Sequence, residues 1–227
     1  ISYGFDPKND YVLSDYGSDG MKSTFKITSN LNSIDITLNM LGQHNALNAA
    51  AAIVLCLLEN IPVKVIKESL EGFMGIDRRM QILGVQVNEK SSKVYIDDYG
   101  HHPTEIQKTI EAIKNSYPDH NLTMVFQPHR YTRTKDLFSE FIQVLKGVDN
   151  LILLDVYSAG EKPIKGIDSL NIKRSLEDSG FLNIELVEDK DLVLKRITDS
   201  PDINTVFIFQ GAGDISSISK QFERGHF

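Results

Sequence analysis

Three potential cations stand within five residues at His129-Arg130-Tyr131-Thr132-Arg133. Arg donates two parallel hydrogen bonds in a fixed fork, so this spacing suits a carboxylate or a phosphate; the plain alternative is a solvated basic loop opening a helix. A second cluster, Asp97-Asp98-Tyr99-Gly100-His101-His102-Pro103, sets paired carboxylates beside paired imidazoles. Zinc or manganese takes such ligands, but no Cys assists and the spacing matches neither H-E-x-x-H nor a structural zinc pattern. We assign no metal ligand and expect the acidic pair to anchor a neighbouring Arg or a ribose hydroxyl, with the histidines meeting an anionic or acyl group. The structural alternative is a turn whose Asp caps the helix after Pro103. Gly211-Ala212-Gly213 is half of a dinucleotide fingerprint and reads as a tight strand-to-helix turn capped by Asp214. Asp155 and Glu161 have no partner in the sequence pattern and read as strand-end and loop residues.

These segments need a scaffold, and the hydrophobic pattern supplies one. Apolar runs at Val94–Ile96, Leu122–Phe126, Leu151–Val156, Ile184–Val187 and Thr205–Phe209 alternate with helical patterns over 104–115, 135–145, 172–179, 192–198 and 215–222. Alternation of this kind requires crossovers and a mostly parallel, doubly wound sheet, a Rossmann-like α/β domain over 76–227. Ligands bind such sheets at the carboxyl ends of the strands, and the polar loops just named follow four of these runs. Residues 1–75 read differently, with a β-hairpin within 22–41. A helix over 46–60 follows, opened by Asn45, and then a second, amphipathic helix over 63–73.

The 227 residues are 41% hydrophobic and 24% charged, the profile of an ordinary globular chain. A net charge of -7 with no basic block argues against partners bound through nucleic-acid phosphates or anionic lipid. The longest apolar run, Ala49–Leu58, has half of the roughly 20 residues a membrane span needs. Cys56 is the single cysteine, which rules out an internal disulfide and points to a reducing compartment and a buried thiol. The start, Ile1-Ser2-Tyr3-Gly4, has neither an initiator Met nor a signal-peptide pattern and reads as the middle of something longer.

The order of motifs carries a resemblance. Gly42-Gln43-His44-Asn45-Ala46-Leu47-Asn48-Ala49 resembles the G-x-H-N-x-x-N-A segment of the Mur ligase family. Asp97 to Glu105 and Phe126 to Thr134 narrow the resemblance to the alanine-adding branch, and Asp155 to Glu161 and Gly211 to Ile215 follow in the same order. It extends over essentially the whole chain. The resemblance implies a cytoplasmic, ATP-dependent ligase of peptidoglycan precursor synthesis, using ATP and Mg2+. ATP would phosphorylate the carboxylate of UDP-N-acetylmuramate, and the amino group of L-alanine would attack the acyl phosphate. It implies nucleotide contacts at His44, Asn45, Asn48, Arg79 and Asp98. It places Tyr99, His101, His129, Arg130 and Arg133 on the L-alanine and acyl-phosphate side, with His101 and Arg130 catalytic.

The family's G-T-x-G-K-[ST] phosphate loop and its magnesium-binding Glu and His are not in this sequence, nor is the domain that holds the UDP-sugar. The expectation is a C-terminal fragment, inactive alone: the tail of the central ATP-binding domain over 1–75 and the third domain over 76–227. Setting the resemblance aside, a Rossmann-like module for an anionic metabolite and a metal-dependent hydrolase built on the histidines compete.

Overall fold

Two strands of residues 1–76, Lys22–Thr28 and Ser33–Leu38, show period-two burial, with one face on a core and the other wet. β1 (Tyr3–Gly4) pairs parallel with β2 (Tyr11–Asp19), and β2, β3 (Lys22–Thr28) and β4 (Ser33–Leu38) form an antiparallel meander. Phe25 and Ile27 of β3 and Ile34, Ile36 and Leu38 of β4 point inward. They meet Ala46, Ala50, Ile53 and Val54 of α1 (Gln43–Leu58) and Ile66 of α2 (Val63–Gly72). The hairpin foreseen in the sequence is thus the outer half of a four-stranded sheet.

The structure is a computed structural model that describes residues 1–19, 22–89, 91–201 and 203–222. It divides into two units, Ile1–Ile76 with Glu111–Ser116, and Asp77–Ile110 with Tyr117–Phe227.

Beyond residue 76 the order of elements is β5 (Gln81–Val87), β6 (Ser92–Asp98), α3 (Pro103–Ser116), β7 (Asn121–Phe126), α4 (Tyr131–Asp136), α5 (Phe138–Leu145) and β8 (Asn150–Leu153). It continues with α6 (Ser169–Asp178), β9 (Ile184–Leu186), α7 (Lys190–Thr198), β10 (Asn204–Gln210), α8 (Ser216–Ser219) and a 3-10 turn at Lys220–Phe222. The sheet order is β5-β6-β10-β7-β8-β9, with every pair parallel except the antiparallel edge β5-β6. This is the mostly parallel α/β sheet expected. β6, β7 and β10 are buried along most of their length because strands in the middle of such a sheet are covered on both faces.

One face of the sheet carries a core of Tyr95, Val125, Ile152, Phe207 and Phe209 against Val193, Ile197, Ile215, Ile218 and Phe222. Tyr95 stacks on Phe207 and on Phe222, with centroids 5.5 and 4.8 Å apart. Burial pushes the Tyr95 phenol up to about 12. Two foreseen helices are in fact divided. The helix over 135–145 begins earlier, at Tyr131, and is broken at Leu137, whose φ of -118° leaves the helical region. The terminal helix tightens into a 3-10 turn after Ser219.

Candidate active site

Register brings the sequence-distant loops together. Asp98 of β6 lies beside Gln210 of β10, Gln210 beside Phe126 of β7, and Phe126 beside Leu153 of β8. Four strands therefore end at one level, and the chain of backbone bonds continues past them: Gly211 N–H donates to Asp98 O and Gln127 N–H to Gln210 O. Because β10 is inserted between β6 and β7, the loops after all three strands are neighbours, the topological switch where open α/β sheets bind ligands.

Buried side chains lock the first loop. Asp98 is 4% exposed; its Oδ1 accepts from Gly100 N–H (2.8 Å), Gln210 Nε2 (2.7 Å) and Thr109 Oγ1 (3.4 Å), and its Oδ2 from Met80 N–H (2.9 Å). A ribose hydroxyl, the partner the resemblance implies for Asp98, would have to share an oxygen already in use. The Arg anchor expected of the acidic pair falls to Asp97. Arg78 Nε lies 3.5 Å from its Oδ1, and Ser219 Oγ donates to its Oδ2 at 2.7 Å. Burial pushes the Asp97 carboxyl up, against the pull of Ser219 and Arg78. Arg78 also donates to Gly211 O and lies 5.1 Å over the Tyr99 ring, with Arg79 at 5.7 Å.

No aspartate caps the helix after Pro103. His102 Nδ1 accepts the first-turn Thr104 N–H (3.3 Å), and Glu105 reaches back, its Oε2 accepting from His101 N–H (2.9 Å) and His102 N–H (3.0 Å). Asp214 does not cap its helix either; its carboxylate takes Gln127 Nε2 and Lys190 Nζ, and these bonds outweigh burial and hold it below the usual range. Gln127 Oε1 in turn accepts Ile215 N–H. Gly213 is glycine for want of room, since a Cβ there would lie 2.3 Å from Gln127 Oε1 and 2.8 Å from Tyr157 Cγ.

On this frame sit two imidazoles and two guanidiniums. The rings of His101 and His129 lie 5.7 Å apart. Tyr157 stacks on His129 at 5.5 Å, and Tyr99 meets His101 edge-on at 5.3 Å. His101 Nδ1 is 3.1 Å from Tyr99 O; a carbonyl only accepts, so Nδ1 carries the proton and Nε2 of the neutral ring keeps its lone pair. His129 Nδ1 is 3.2 Å from Arg133 Nη1; a guanidinium only donates, so the neutral His129 ring carries its proton on Nε2. Burial and the Arg133 cation lower both pKa values, with Arg79 adding at His101, and His101 and Arg130 at His129. One ring can therefore accept a proton and its neighbour can donate a hydrogen bond.

Arg130 has φ 73° and an exposed side chain. Its backbone is pinned in that conformation, with its N–H on Tyr157 O (2.8 Å) and its carbonyl taking Thr134 N–H and Oγ1. Glu161 binds Thr132 N–H and Oγ1 at 3.0 and 2.7 Å and so fixes the start of α4. Sequence reasoning included Tyr157, Gln127, Gln210 and Glu105 in the strand-end segments but gave them no role.

His44, Asn45 and Asn48 belong to the first unit, on the opening turns of α1. The helix begins at Gln43 after Gly42, whose φ is 94° and where a Cβ would lie 2.6 Å from His44 Cε1. Asn45 is therefore inside the helix and does not cap it; its Nδ2 donates to Leu41 O at 2.7 Å. Asn45 and the exposed Asn48 border an apolar cavity of about 470 Å3 that Ile53, Cys56, Leu70 and Phe73 also line. Cys56 is half-buried there. Among the described residues no three His, Cys, Asp or Glu side chains are grouped to hold a metal ion. Among the same residues no helix is long and apolar enough to cross a membrane.

Residues 78–213 match the family model described as Mur ligase, glutamate ligase domain, and the chain belongs to that family. It is similar to the UDP-N-acetylmuramate-alanine ligase MurC of Thermotoga maritima: 28% identity, TM-score 0.79, over 98% of this chain and 46% of that one. MurF of Acinetobacter baumannii (15% identity, TM-score 0.68, over 98% and 46%) shares the fold. So does the folylpolyglutamate synthase of Thermotoga maritima (20%, 0.62, over 92% and 45%). The chain spans less than half the length of these proteins.

Proposed function

We propose that this chain supplies the amino-acid-handling part of an ATP-dependent ligase that joins L-alanine to the carboxylate of UDP-N-acetylmuramate in peptidoglycan precursor synthesis. The observation that carries the reading is the pairing, at one strand-end level, of a ring that accepts at Nε2 with a donor set of Arg130, Arg133 and His129. A small amino acid is a zwitterion whose methyl group offers little binding energy, so it has to be held through its charges. In this reading Arg130, Arg133 and His129 Nε2–H bind the carboxylate, and the Tyr99 and Tyr157 rings wall the site. The similarity to an alanine ligase at 28% identity supports the choice of substrate.

The chemistry then has defined steps. ATP phosphorylates the muramic acid carboxylate, giving an acyl phosphate. His101 Nε2 takes a proton from the L-alanine ammonium, and the freed amine lone pair attacks the acyl carbon. The tetrahedral intermediate still carries a second nitrogen proton; this passes to the departing phosphate as the carbon–oxygen bond breaks, leaving the amide. His44, Asn45, Asn48, Arg79 and Asp98 are assigned to the nucleotide side on the resemblance.

The test is kinetic, in the full-length ligase. Arg130→Ala or Arg133→Ala is expected to raise KM for L-alanine at least about tenfold and to leave KM for ATP within about twofold. An equal rise in both constants would contradict the assignment.

A further inference from the structure

We infer that Glu105 is a positioning residue for His101, holding the loop that presents Nε2 from the first turn of α3; this rests on the amino-acid site proposed above. Three observations carry it. Glu105 Oε2 accepts the consecutive N–H groups of His101 and His102 at 2.9 and 3.0 Å, which fixes the peptide plane on which the His101 ring is mounted. Its other oxygen, Oε1, lies 3.7 Å from Arg79 Nη1. Its Cβ packs so close to Gly100 that a methyl there would sit 3.2 Å away. One side chain on a regular helix thus ties together Arg79 and His101 through its carboxylate and packs on Gly100 through its Cβ.

The same carboxylate bears on the His101 ring through its charge. The groups facing His101 are Glu105 of α3, Arg133 of α4, Arg79 before β5, His129 after β7 and the Tyr99 carbonyl of its own loop. Glu105 raises the proton affinity of the ring, and Arg133 and Arg79 lower it. Glu105 stays ionised to do this. Burial pushes its carboxyl up, but the two N–H donors and the nearby His101 and Arg79 charges outweigh burial and hold it below its usual value.

Two variants separate shape from charge. Glu105→Gln keeps an oxygen that can accept the two N–H groups and removes the charge; Glu105→Ala removes both. The first measurement is a histidine ring NMR titration of this chain. In Glu105→Gln the His101 midpoint is expected to move to lower pH, with the His129 midpoint moving less, because the carboxylate that raises that ring is Glu161. The second measurement uses the full-length ligase. Glu105→Ala is expected to lose about a hundredfold in kcat/KM for L-alanine through misplacement of the ring. Glu105→Gln should recover most of that loss and shift the acidic limb of the rate profile to lower pH, since a base works above its pKa. An unmoved His101 midpoint in Glu105→Gln, or a Glu105→Ala enzyme with wild-type kcat/KM, overturns the inference. Absence of L-alanine-dependent turnover in the wild type would instead contradict the function proposed above, and the NMR titration would then decide the role of Glu105 by itself.

Discussion

Two histidines with opposite tautomers, each fixed by a partner that can only accept or only donate, give this site its chemical direction. Both rings resist protonation in the folded protein, which has a consequence for stability. An unfolded chain takes up protons on these rings near pH 6.5, while the folded one waits for a lower pH. Stability is therefore lost as pH falls through the unfolded value toward the folded ones. Urea unfolding between about pH 7 and pH 6 should show a steeper loss in the wild type than in a His101→Gln, His129→Gln double variant; equal slopes would contradict the assigned directions. The residues that bear the chemistry were legible in the sequence because His, Arg and Asp stand out after apolar runs. Those that hold them were not. Gln210 reaches Asp98 across 112 positions and Gln127 reaches Asp214 across 87, and no local pattern marks a glutamine for such work. The reading of Asn45 as a cap failed for a local reason, since Gly42 can turn the chain at φ 94° and start the helix earlier.

At the level of elements, β10 is the organiser. It is the last strand among the described residues and lies in the middle of the sheet, so its insertion between β6 and β7 sets the spacing of the loops on either side. Period and alternation revealed that the strand exists. Spatial order was hidden, because sequence order does not say where a returning strand inserts. β2 and β5 went unseen for a different reason. Each contains a register shift, between Ser14 and Gly17 in one and at the step from Ile82 to Gly84 in the other, which blurs the alternation that marks a strand. Phe209 of β10 is fully buried and packs on Phe222 at 5.3 Å. Phe209→Ala should cost about 3–5 kcal/mol by chemical unfolding, from lost burial and the cavity left behind. A loss below about 1 kcal/mol would mean that β10 is not packed as described.

For the molecule as a whole, the chain joins an antiparallel unit carrying the His44-Asn45-Ala46-Leu47-Asn48 segment to a mostly parallel unit carrying the four loops, and it matches less than half the length of MurC. No Gly-rich, Lys-containing phosphate loop occurs in its sequence. The 227 residues alone should therefore release no phosphate from ATP when UDP-N-acetylmuramate and L-alanine are supplied. The most direct test of the account is phosphate release by the full-length ligase with ATP and UDP-N-acetylmuramate, measured across L-alanine, D-alanine, L-glutamate and buffer. The account predicts release that depends on all three substrates and is fastest with L-alanine. Release that is independent of the amino acid, or faster with L-glutamate, would contradict it.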